Sequence, residues 1–330
     1  MQKRLGTSEF TITPIGLGTW AMGGEGAFGW GPQDDEESVS TVLRAVERGI
    51  NWIDTAPAYG YGRSERVVGR ALAEIPQAER PYVFTKCGLV WDETGEITHS
   101  LKADSLRREV EASLERLGMG ALDLVQIHWP SFPPGSPALE LEQGWTALAR
   151  LREEGLIREI GVSNCDVNQL QRLAQIAPVT SLQPPYSMLM RQIEDEILPY
   201  CGEHHIGVIS YSPMHNGLLS GRMTRERIAA MAETDWRAKL NPAFQEPHLT
   251  QNLAFVEKLR EIADAYGRTV AEVAVAWVLR HQAVTGAIVG ARRPDQINDF
   301  CCAMEFRLSV EDLAMIERAM PTSLSAYDLD

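Results

Sequence analysis

Residues 39–54 read VSTVLRAVERGINWID, and this stretch contains a helix, a stop and a strand in direct succession. Four apolar residues recur at the spacing i, i+3, i+4 and i+7, which places them on one helix face: Val39, Val42, Leu43 and Val46. Gly49 then ends the helix. The next residues form a short apolar strand that ends on the carboxylate of Asp54. The stretch therefore predicts a helix that returns the chain to a buried strand.

The same alternation of apolar strand and amphipathic helix continues along the chain in both directions. Eight strands are predicted, at residues 15–17, 51–54, 82–85, 122–127, 160–162, 181–183, 208–211 and 287–289. Helical periodicity follows the strands, most clearly at residues 35–48, 64–73, 194–204, 252–266 and 270–281. Strands that alternate with helices form parallel sheets, and eight such units close a barrel. The predicted fold is therefore an α/β protein of the (β/α)8 TIM-barrel type.

The remaining segments are predicted to form additional elements outside the eight strand and helix units of the barrel. Residues 5–13 are predicted to form an N-terminal hairpin, and residues 309–320 an extra C-terminal helix that packs on the barrel. Residues 214–250 are too long for an ordinary connection, so we expect a lid or a helical insertion there. No proline-rich or serine-rich linker divides the sequence, and we expect residues 1–330 to form a single domain.

Composition excludes several classes of partner. The chain has 330 residues and a formal net charge of −14, so its surface repels phosphate backbones and no nucleic-acid partner is expected. No stretch approaches the roughly 20 apolar residues that a membrane span needs, and no leader segment is evident, so we expect a cytoplasmic protein without a membrane partner. The five cysteines have no CxxC spacing and are interpreted as reduced, packed thiols. We expect a monomer.

Polar residues stand at the carboxyl ends of the predicted strands, where barrels of this type have their active sites. They are Asp54, Lys86, His128, Ser163, Asn164, Gln183, Tyr211 and Ser212. Tyr59 follows Asp54 by five residues, on the adjoining loop. A ring of different titratable side chains at equivalent strand positions predicts a catalytic centre at the mouth of the barrel.

Four of these residues make sense together as a proton donor. A tyrosine has a reference pKa of about 10 and is a poor acid at neutral pH. We expect the ammonium group of Lys86 to lower the pKa of Tyr59, and Asp54 to hold that ammonium group in place. His128 can donate a second hydrogen bond to a reacting carbonyl oxygen. The arrangement contains no nucleophile, which suits reduction of a carbonyl by an external hydride.

The quartet Asp54, Tyr59, Lys86 and His128, in the contexts IDTAPAYGYGRSE, VFTKCG and LVQIHWP, resembles the catalytic tetrad of the aldo-keto reductases. Further segments share the resemblance, from GLGTW at residues 16–20 onward: GVSNC, SLQPPYSMLMR, SYSPMHNGLLSG and AIVGARRPDQI. The resemblance covers essentially the whole chain. It implies an NADP(H)-dependent oxidoreductase on a (β/α)8 barrel, with an aldehyde, ketone, aldose or other sugar as substrate.

The resemblance also implies a cofactor site. Ser163, Asn164 and Gln183 would hold the nicotinamide carboxamide, and Tyr211 would stack on the ring. The residues that would line the pyrophosphate are Ser212, Met214, Gly217 and Leu218. Those at the adenosine end would be Gly290, Arg292, Arg293, Gln296 and Asp299, with an arginine on the 2′-phosphate. Thr19, Trp20 and Asp54 complete the set. Asp299-Phe300 departs from the Glu-Asn pair that is usual in the family, which bears on the adenine contacts.

Three alternatives stay open at this point. Residues 24–29 read GEGAFG and fit the dinucleotide-binding pattern GxGxxG, although they do not directly follow a predicted strand. A cofactor-bound sensor or partner subunit with little turnover would share the same sequence motifs. A metal-dependent hydrolase would share the barrel, but no His and carboxylate residues show ligand spacing, so no metal site is predicted.

Overall fold

The computed structural model describes residues 2–25, 29–232, 235, 237 and 241–321. Its strands, in chain order, are β1 (Lys3–Arg4), β2 (Thr11–Ile12), β3 (Ile15–Gly18), β4 (Trp52–Asp54), β5 (Tyr82–Cys87), β6 (Leu89–Trp91), β7 (Ile97–His99), β8 (Leu122–Ile127), β9 (Ile157–Ser163), β10 (Ser181–Gln183), β11 (Gly207–Ser210) and β12 (Val284–Gly290).

The helices of this part of the chain, in order, are α1 (Asp35–Glu47), α2 (Arg63–Glu74), α3 (Ala103–Leu117), α4 (Leu141–Glu153), α5 (Val167–Ala174), α6 (Ile197–Glu203), α7 (Arg225–Ala229), α8 (His248–Ala265), α9 (Val270–Leu279), α10 (Pro294–Ile297) and α11 (Val310–Ala319). Several begin at side-chain caps that the sequence supplies. Asp34 accepts a hydrogen bond from the backbone of Glu37, and Asp166 and Thr269 form capping boxes.

Eight parallel strands close a barrel in the order β3, β4, β5, β8, β9, β10, β11 and β12. The barrel closes where β12 pairs with β3, in a register that sets Gly290 opposite Gly18. The (β/α)8 fold that the strand count predicted is confirmed. All eight strands run the same way, so their carboxyl ends share one mouth.

Two apolar layers hold the barrel together. The larger one lies between the strands and the surrounding helices. The smaller one fills the amino-terminal end of the barrel, where the confirmed N-terminal hairpin brings Leu5, Phe10 and Ile12 against Trp52 and Phe84. This plug leaves the carboxyl-terminal mouth as the open end of the barrel. The C-terminal helix, α11, is also confirmed and packs against α8.

Several boundaries differ from the sequence-based expectation. The antiparallel hairpin of β6 and β7 was not predicted, because its residues are half-exposed and carry no clean alternation. The helix predicted at residues 252–266 begins at His248. The helix predicted at residues 194–204 is a 3-10 turn at Gln192–Glu194 followed by α6. The helix after β12 is a single turn.

A lid or a helical insertion was expected in the long segment after β11, and the segment contains helical structure. It includes a 3-10 turn at Leu218–Ser220, helix α7, and a second turn at Pro242–Phe244 that leads into α8. Residues 233, 234, 236 and 238–240 lie outside the described part of the chain.

Candidate active site

The structure brings Asp54, Lys86 and Tyr59 into direct contact at the mouth of the barrel. Asp54 ends β4, Lys86 lies near the end of β5, and Tyr59 lies on the loop after β4. Lys86 Nζ donates hydrogen bonds to Asp54 Oδ2 at 2.7 Å, to the carbonyl of Thr55 at 3.1 Å and to Tyr59 Oη at 3.1 Å. These three bonds use all three ammonium hydrogens of Lys86.

His128 completes the predicted quartet from the neighbouring strand. It directly follows β8, and its backbone N–H donates to the carbonyl of Cys87 at 2.9 Å. Its ring centroid lies 5.7 Å from that of Tyr59, with the two ring planes at 81°. Trp20 stacks on the Tyr59 ring at 6.2 Å. The hydroxyl of Tyr59 is therefore surrounded by a buried cation and aromatic walls.

The Lys86–Asp54 ion pair is almost completely removed from water. Lys86 is 2% exposed and Asp54 is 3% exposed. Burial alone lowers the pKa of Lys86, but Asp54 and Tyr59 outweigh it and raise that pKa above its ordinary value. Burial also raises the pKa of Asp54, and the hydrogen bonds from Lys86 and Gln183 oppose this effect. The pair remains charged because each partner compensates the other.

Lys86 lowers the pKa of Tyr59, as expected, but this effect does not decide the direction of the net shift. Burial raises the pKa of Tyr59 above 10.0, and the opposing effect of Lys86 is the smaller one. Tyr59 is therefore protonated at neutral pH. Burial and the charge of Lys86 hold the pKa of His128 well below its ordinary value. The imidazole is accordingly neutral and keeps one N–H donor.

The residues predicted to bind a nicotinamide amide form one hydrogen-bonded wall of the mouth. Gln183 Nε2 donates to Asp54 Oδ1 at 2.8 Å, and Ser163 Oγ donates to the carbonyl of Gln183 at 2.7 Å. Asn164 Nδ2 donates to the carbonyl of His128 at 3.1 Å, and Tyr211 Oη donates to Asn164 Oδ1 at 2.9 Å. The wall thus links β9, β10 and β11 to the catalytic centre.

The segment from Ser212 to Gly217 forms a tight turn that continues from this wall. Four of its residues have positive φ, namely Ser212, His215, Asn216 and Gly217. The backbone N–H groups of His215, Gly217 and Leu218 donate to carbonyls within the same segment, so a phosphate contact of this turn remains a prediction. Met214 is half-buried, whereas Leu218 is fully buried, so a contact of Leu218 with a ligand remains a prediction. His215 is 2% exposed and therefore belongs to the interior of the protein.

Arg292 is held by the loop after β3. Its guanidinium donates to Gln33 Oε1 at 2.7 Å, to the carbonyl of Trp30 at 3.0 Å and to the carbonyl of Pro32. No carboxylate lies within ion-pair distance of this guanidinium in the described residues, although Glu37 and Asp235 act on its charge from further away. Gln296 Oε1 accepts from the backbone N–H groups of Arg292 and Arg293.

Other predicted cofactor residues have partners within the protein. Arg293 is exposed and pairs with Asp295 at 3.3 Å, and Asp299 pairs with Arg222 at 2.6 Å. Gly290 ends β12 at the mouth and is exposed. Thr19 is fully buried, and its hydroxyl donates to the carbonyl of Asp54 at 3.0 Å. Thr19 therefore supports the catalytic strand end, and a direct cofactor contact of its side chain remains a prediction.

One residue near the site was not predicted from the sequence. Arg237 lies over the ring of Trp30 at 4.2 Å and donates to the carbonyl of Asn216 at 3.2 Å. Asp235 accepts from Arg237 through both carboxylate oxygens. Arg237 lies in a long insertion without periodicity, so only the folded chain shows that it reaches the mouth.

The structure bears on two of the alternatives that the sequence left open, the metal-dependent hydrolase and the GxGxxG dinucleotide site. Within the described residues no group of three His, Cys, Asp or Glu side chains converges to hold a metal ion. Gly24 follows a 3-10 turn, not a strand, which is wrong for a dinucleotide-binding glycine motif. Residues 26–28 of that motif lie outside the described part of the chain.

Comparison with known proteins identifies the family. The family model described as "Aldo/keto reductase family" matches residues 14–320. The chain belongs to the aldo/keto reductase family.

Among relatives of this aldo/keto reductase, an NADH-specific methylglyoxal reductase from Escherichia coli is 36% identical over 97% of this chain and 98% of its own length. The glycerol dehydrogenase AKR11B4 from Gluconobacter oxydans has a structure with a TM-score of 0.86, 36% identity and coverage of 96% of this chain and 94% of its own. An aldo/keto reductase from Klebsiella pneumoniae in complex with NADP and acetate has a TM-score of 0.73 and 28% identity, over 99% of this chain and 98% of its own.

Family membership makes the chain an oxidoreductase, and it supports a nicotinamide cofactor and is consistent with a small carbonyl substrate. In the part of the chain that the structure describes, no helix combines the length and apolar composition needed to cross a bilayer.

Proposed function

We propose that this aldo/keto reductase uses NADP(H) to interconvert an aldehyde, ketone or aldose and the corresponding alcohol, with Tyr59 as the general acid and base. The observation that carries the proposal is the buried hydrogen bond from Lys86 Nζ to Tyr59 Oη at 3.1 Å, with Asp54 behind it at 2.7 Å. When bound, the cofactor supplies or accepts the hydride at its nicotinamide ring.

The direction of the Lys86–Tyr59 hydrogen bond leaves the Tyr59 proton available. Because Lys86 donates to Tyr59 Oη, the hydroxyl hydrogen of Tyr59 is free to point at a substrate oxygen in the mouth. When Tyr59 gives up that proton, the ammonium group of Lys86 stabilises the phenolate that forms. Asp54 fixes the ammonium group and prevents Lys86 from turning away.

His128 is proposed to position the substrate. A neutral imidazole beside Tyr59 can donate a second hydrogen bond to the same carbonyl oxygen, which polarises the carbonyl without adding a charge. Trp20 and Trp30 meet edge to face at 5.5 Å and provide an apolar wall that keeps bulk water from the reacting atoms.

The donor groups of the mouth fit a nicotinamide dinucleotide. Gln183, Ser163 and Asn164 present amide and hydroxyl groups to an amide ligand beside the catalytic centre, and Tyr211 contributes an aromatic ring. At the far end, Trp30 Nε1 is buried and has no hydrogen-bond partner among the described residues. The Arg237 guanidinium lies over the Trp30 ring, and the Arg292 guanidinium donates to the Trp30 backbone carbonyl, so two cations flank this residue and favour a phosphate group nearby.

The choice of NADP(H) over NAD(H) rests on Arg292 and Arg293. Arg292 has no ion-pair partner among the described residues, and its positive charge favours the 2′-phosphate of NADP(H). The opposing observation is the Arg222–Asp299 ion pair, in which the carboxylate neutralises one cation at this end. The Escherichia coli relative is named as NADH-specific. The cofactor preference is therefore the part of the proposal that binding measurements address first.

The catalytic assignment is tested with Tyr59→Phe and with Tyr61→Phe as the matched control. Tyr61 lies two residues further along, and its hydroxyl donates to the carbonyl of Gly95 at 3.1 Å. We expect Tyr59→Phe to lower kcat by about 100-fold to 10,000-fold, with cofactor affinity unchanged by fluorescence titration. Tyr61→Phe should keep its turnover. Near-normal turnover of Tyr59→Phe, or an equal loss in both variants, contradicts the assignment.

The cofactor assignment is tested by measuring Kd for NADPH and NADH in the Arg292→Ala, Arg293→Ala double variant. We expect NADPH binding to weaken by about tenfold or more, with a smaller loss for NADH. Arg158→Ala is the control, because Arg158 pairs with Asp123 near the amino-terminal start of β8. Equal losses for both cofactors would show that these arginines do not bind the 2′-phosphate.

A further inference from the structure

Two adjacent cysteines face each other on the turn after α10. Cys301 and Cys302 begin a 3-10 turn that ends at Met304. Their sulfur atoms lie 4.0 Å apart, and neither is in a disulfide. Cys301 is buried, whereas Cys302 is partly exposed. The second sulfur is therefore within reach of a reagent in solution, and the first lies directly behind it.

A cation is directed at this pair of sulfur atoms. Arg48 follows the end of α1, and its Nη2 lies 3.1 Å from Cys301 Sγ and 4.0 Å from Cys302 Sγ. The side chain of Arg48 is exposed and has no carboxylate within ion-pair distance among the described residues. Burial and the neighbouring Cys301 raise the pKa of Cys302, so the part left to the Arg48 charge is to stabilise negative charge on a sulfur as it reacts.

The surroundings of the pair restrict what it can bind. In the described part of the chain no third Cys, His or carboxylate joins the two thiols in a metal-binding group. A structural zinc ion takes four protein ligands, so this pair does not suit it. The two sulfurs lie 4.0 Å apart, and a disulfide requires them to approach to about 2.0 Å. The disulfide would also close a small ring through the single peptide unit that joins the two residues. A ligand atom that bridges the two sulfurs leaves them further apart than a disulfide does and closes a ring that is larger by one atom.

We infer that Cys301 and Cys302 form a vicinal dithiol site for a trivalent organoarsenical, a ligand class that takes two thiolates and needs no other protein donor. With an arsine oxide, two As–S bonds form and the As=O bond breaks. The oxygen leaves as water with the two thiol protons, and arsenic stays trivalent. Arg48 assists by stabilising negative charge on the first sulfur that binds arsenic. The site is independent of the proposed carbonyl chemistry.

The test uses phenylarsine oxide at one equivalent on the intact protein, read by intact-mass spectrometry. We expect one phenylarsenic group per chain, released by 2,3-dimercaptopropanol and retained in an equal concentration of a monothiol. Cys302→Ser should abolish the adduct. Cys201→Ser removes a thiol that is fully buried elsewhere and should leave the adduct unchanged. Absence of an adduct on the wild-type protein, or its persistence in Cys302→Ser, overturns the proposal.

The role of Arg48 is tested by the rate of adduct formation. Arg48→Gln should slow it by about threefold or more. Arg44→Gln is the matched control, because Arg44 lies one turn earlier on the same helix and bonds to Glu47 and Asn298. Thermal unfolding of each variant shows that the fold is intact. An Arg48→Gln rate equal to that of Arg44→Gln refutes the contribution of Arg48.

Discussion

Removing one partner of the buried Lys86–Asp54 ion pair should cost more stability than removing both. The two charged groups lie 2.7 Å apart, and at an effective dielectric constant of about 20 their attraction is about 6 kcal/mol. Burial of each ion opposes this attraction by several kcal/mol. The pair is therefore close to balance as a unit, but a single remaining charge is left with its full desolvation penalty.

Lys86→Met keeps the length and apolar stem of the side chain and leaves Asp54 buried without its cation. We expect it to lower the free energy of unfolding by about 3 to 5 kcal/mol at pH 8. Asp54→Asn should cost a similar amount, since it strands the ammonium group of Lys86. The double variant should recover most of this stability, because it contains no buried charge at this position. Guanidinium chloride unfolding of all four proteins gives the coupling free energy.

The pH dependence of Lys86→Met follows from the burial of Asp54. Burial raises the pKa of Asp54, and loss of Lys86 removes the main effect that opposes it. A carboxyl group with a raised pKa in the folded state contributes stability below its unfolded pKa, and loses that contribution as the pH rises through the folded pKa. The deficit of Lys86→Met should therefore be smaller at pH 5 than at pH 8.

A surface ion pair of similar geometry provides the control. Arg107 Nη2 lies 2.6 Å from Glu154 Oε2, but these side chains are 41% and 47% exposed. Arg107→Met should leave the unfolding midpoint unchanged, because exposed pairs are screened by water. The reasoning is refuted if Lys86→Met destabilises by less than about 1 kcal/mol, or if the double variant is no more stable than either single variant.

Three further outcomes are expected. Burial raises the pKa of Glu109 from 4.5 to about 7, so the stability that this group contributes is lost as the pH rises through that range. In denaturant unfolding at pH 8, the free energy of unfolding of Glu109→Gln should exceed the wild-type value by at most about 3 kcal/mol, and the two values should match near the unfolded pKa of about 4.5. A methyl group at Gly161 would lie 2.2 Å from a serine oxygen, whereas Gly120 has no neighbour within 4 Å; Gly161→Ala should destabilise by about 1 to 3 kcal/mol, and Gly120→Ala should not. Because burial and a nearby cation lower the pKa of His128, its carbon-labelled ring should show no protonation in NMR spectra between pH 8 and pH 6; titration near 6.5 would contradict this.

Local pattern was sufficient to predict most of the barrel. Each strand that lines the barrel is a short apolar segment, and its end is marked by a polar residue such as Asp54 or Gln183. In contrast, the β6–β7 hairpin and the start of α8 were missed. Their residues depend on contacts with distant segments, as when His99 bonds to the carbonyl of Trp129 at 3.0 Å. Periodicity contains no information about such contacts.

The sequence predicted which residues form the candidate site, but it did not predict the net direction of the Tyr59 pKa shift. Strand-end positions alone brought Asp54, Lys86 and His128 to one mouth, because parallel strands share their carboxyl ends. The direction of the Tyr59 pKa shift was not predictable in this way. It depends on whether burial or the cation has the larger effect, and both depend on how closely the surrounding chain excludes water.

By itself the sequence determined the number and order of the barrel strands, most of the surrounding helices, and the residue types at each strand end. These properties follow from local periodicity, capping and chain order. Only the tertiary structure decided that Arg292 donates to the loop after β3, that Arg237 covers Trp30, and that Arg48 reaches Cys301. The physical reason is that these contacts join segments far apart in sequence, and their geometry is fixed only when the barrel closes.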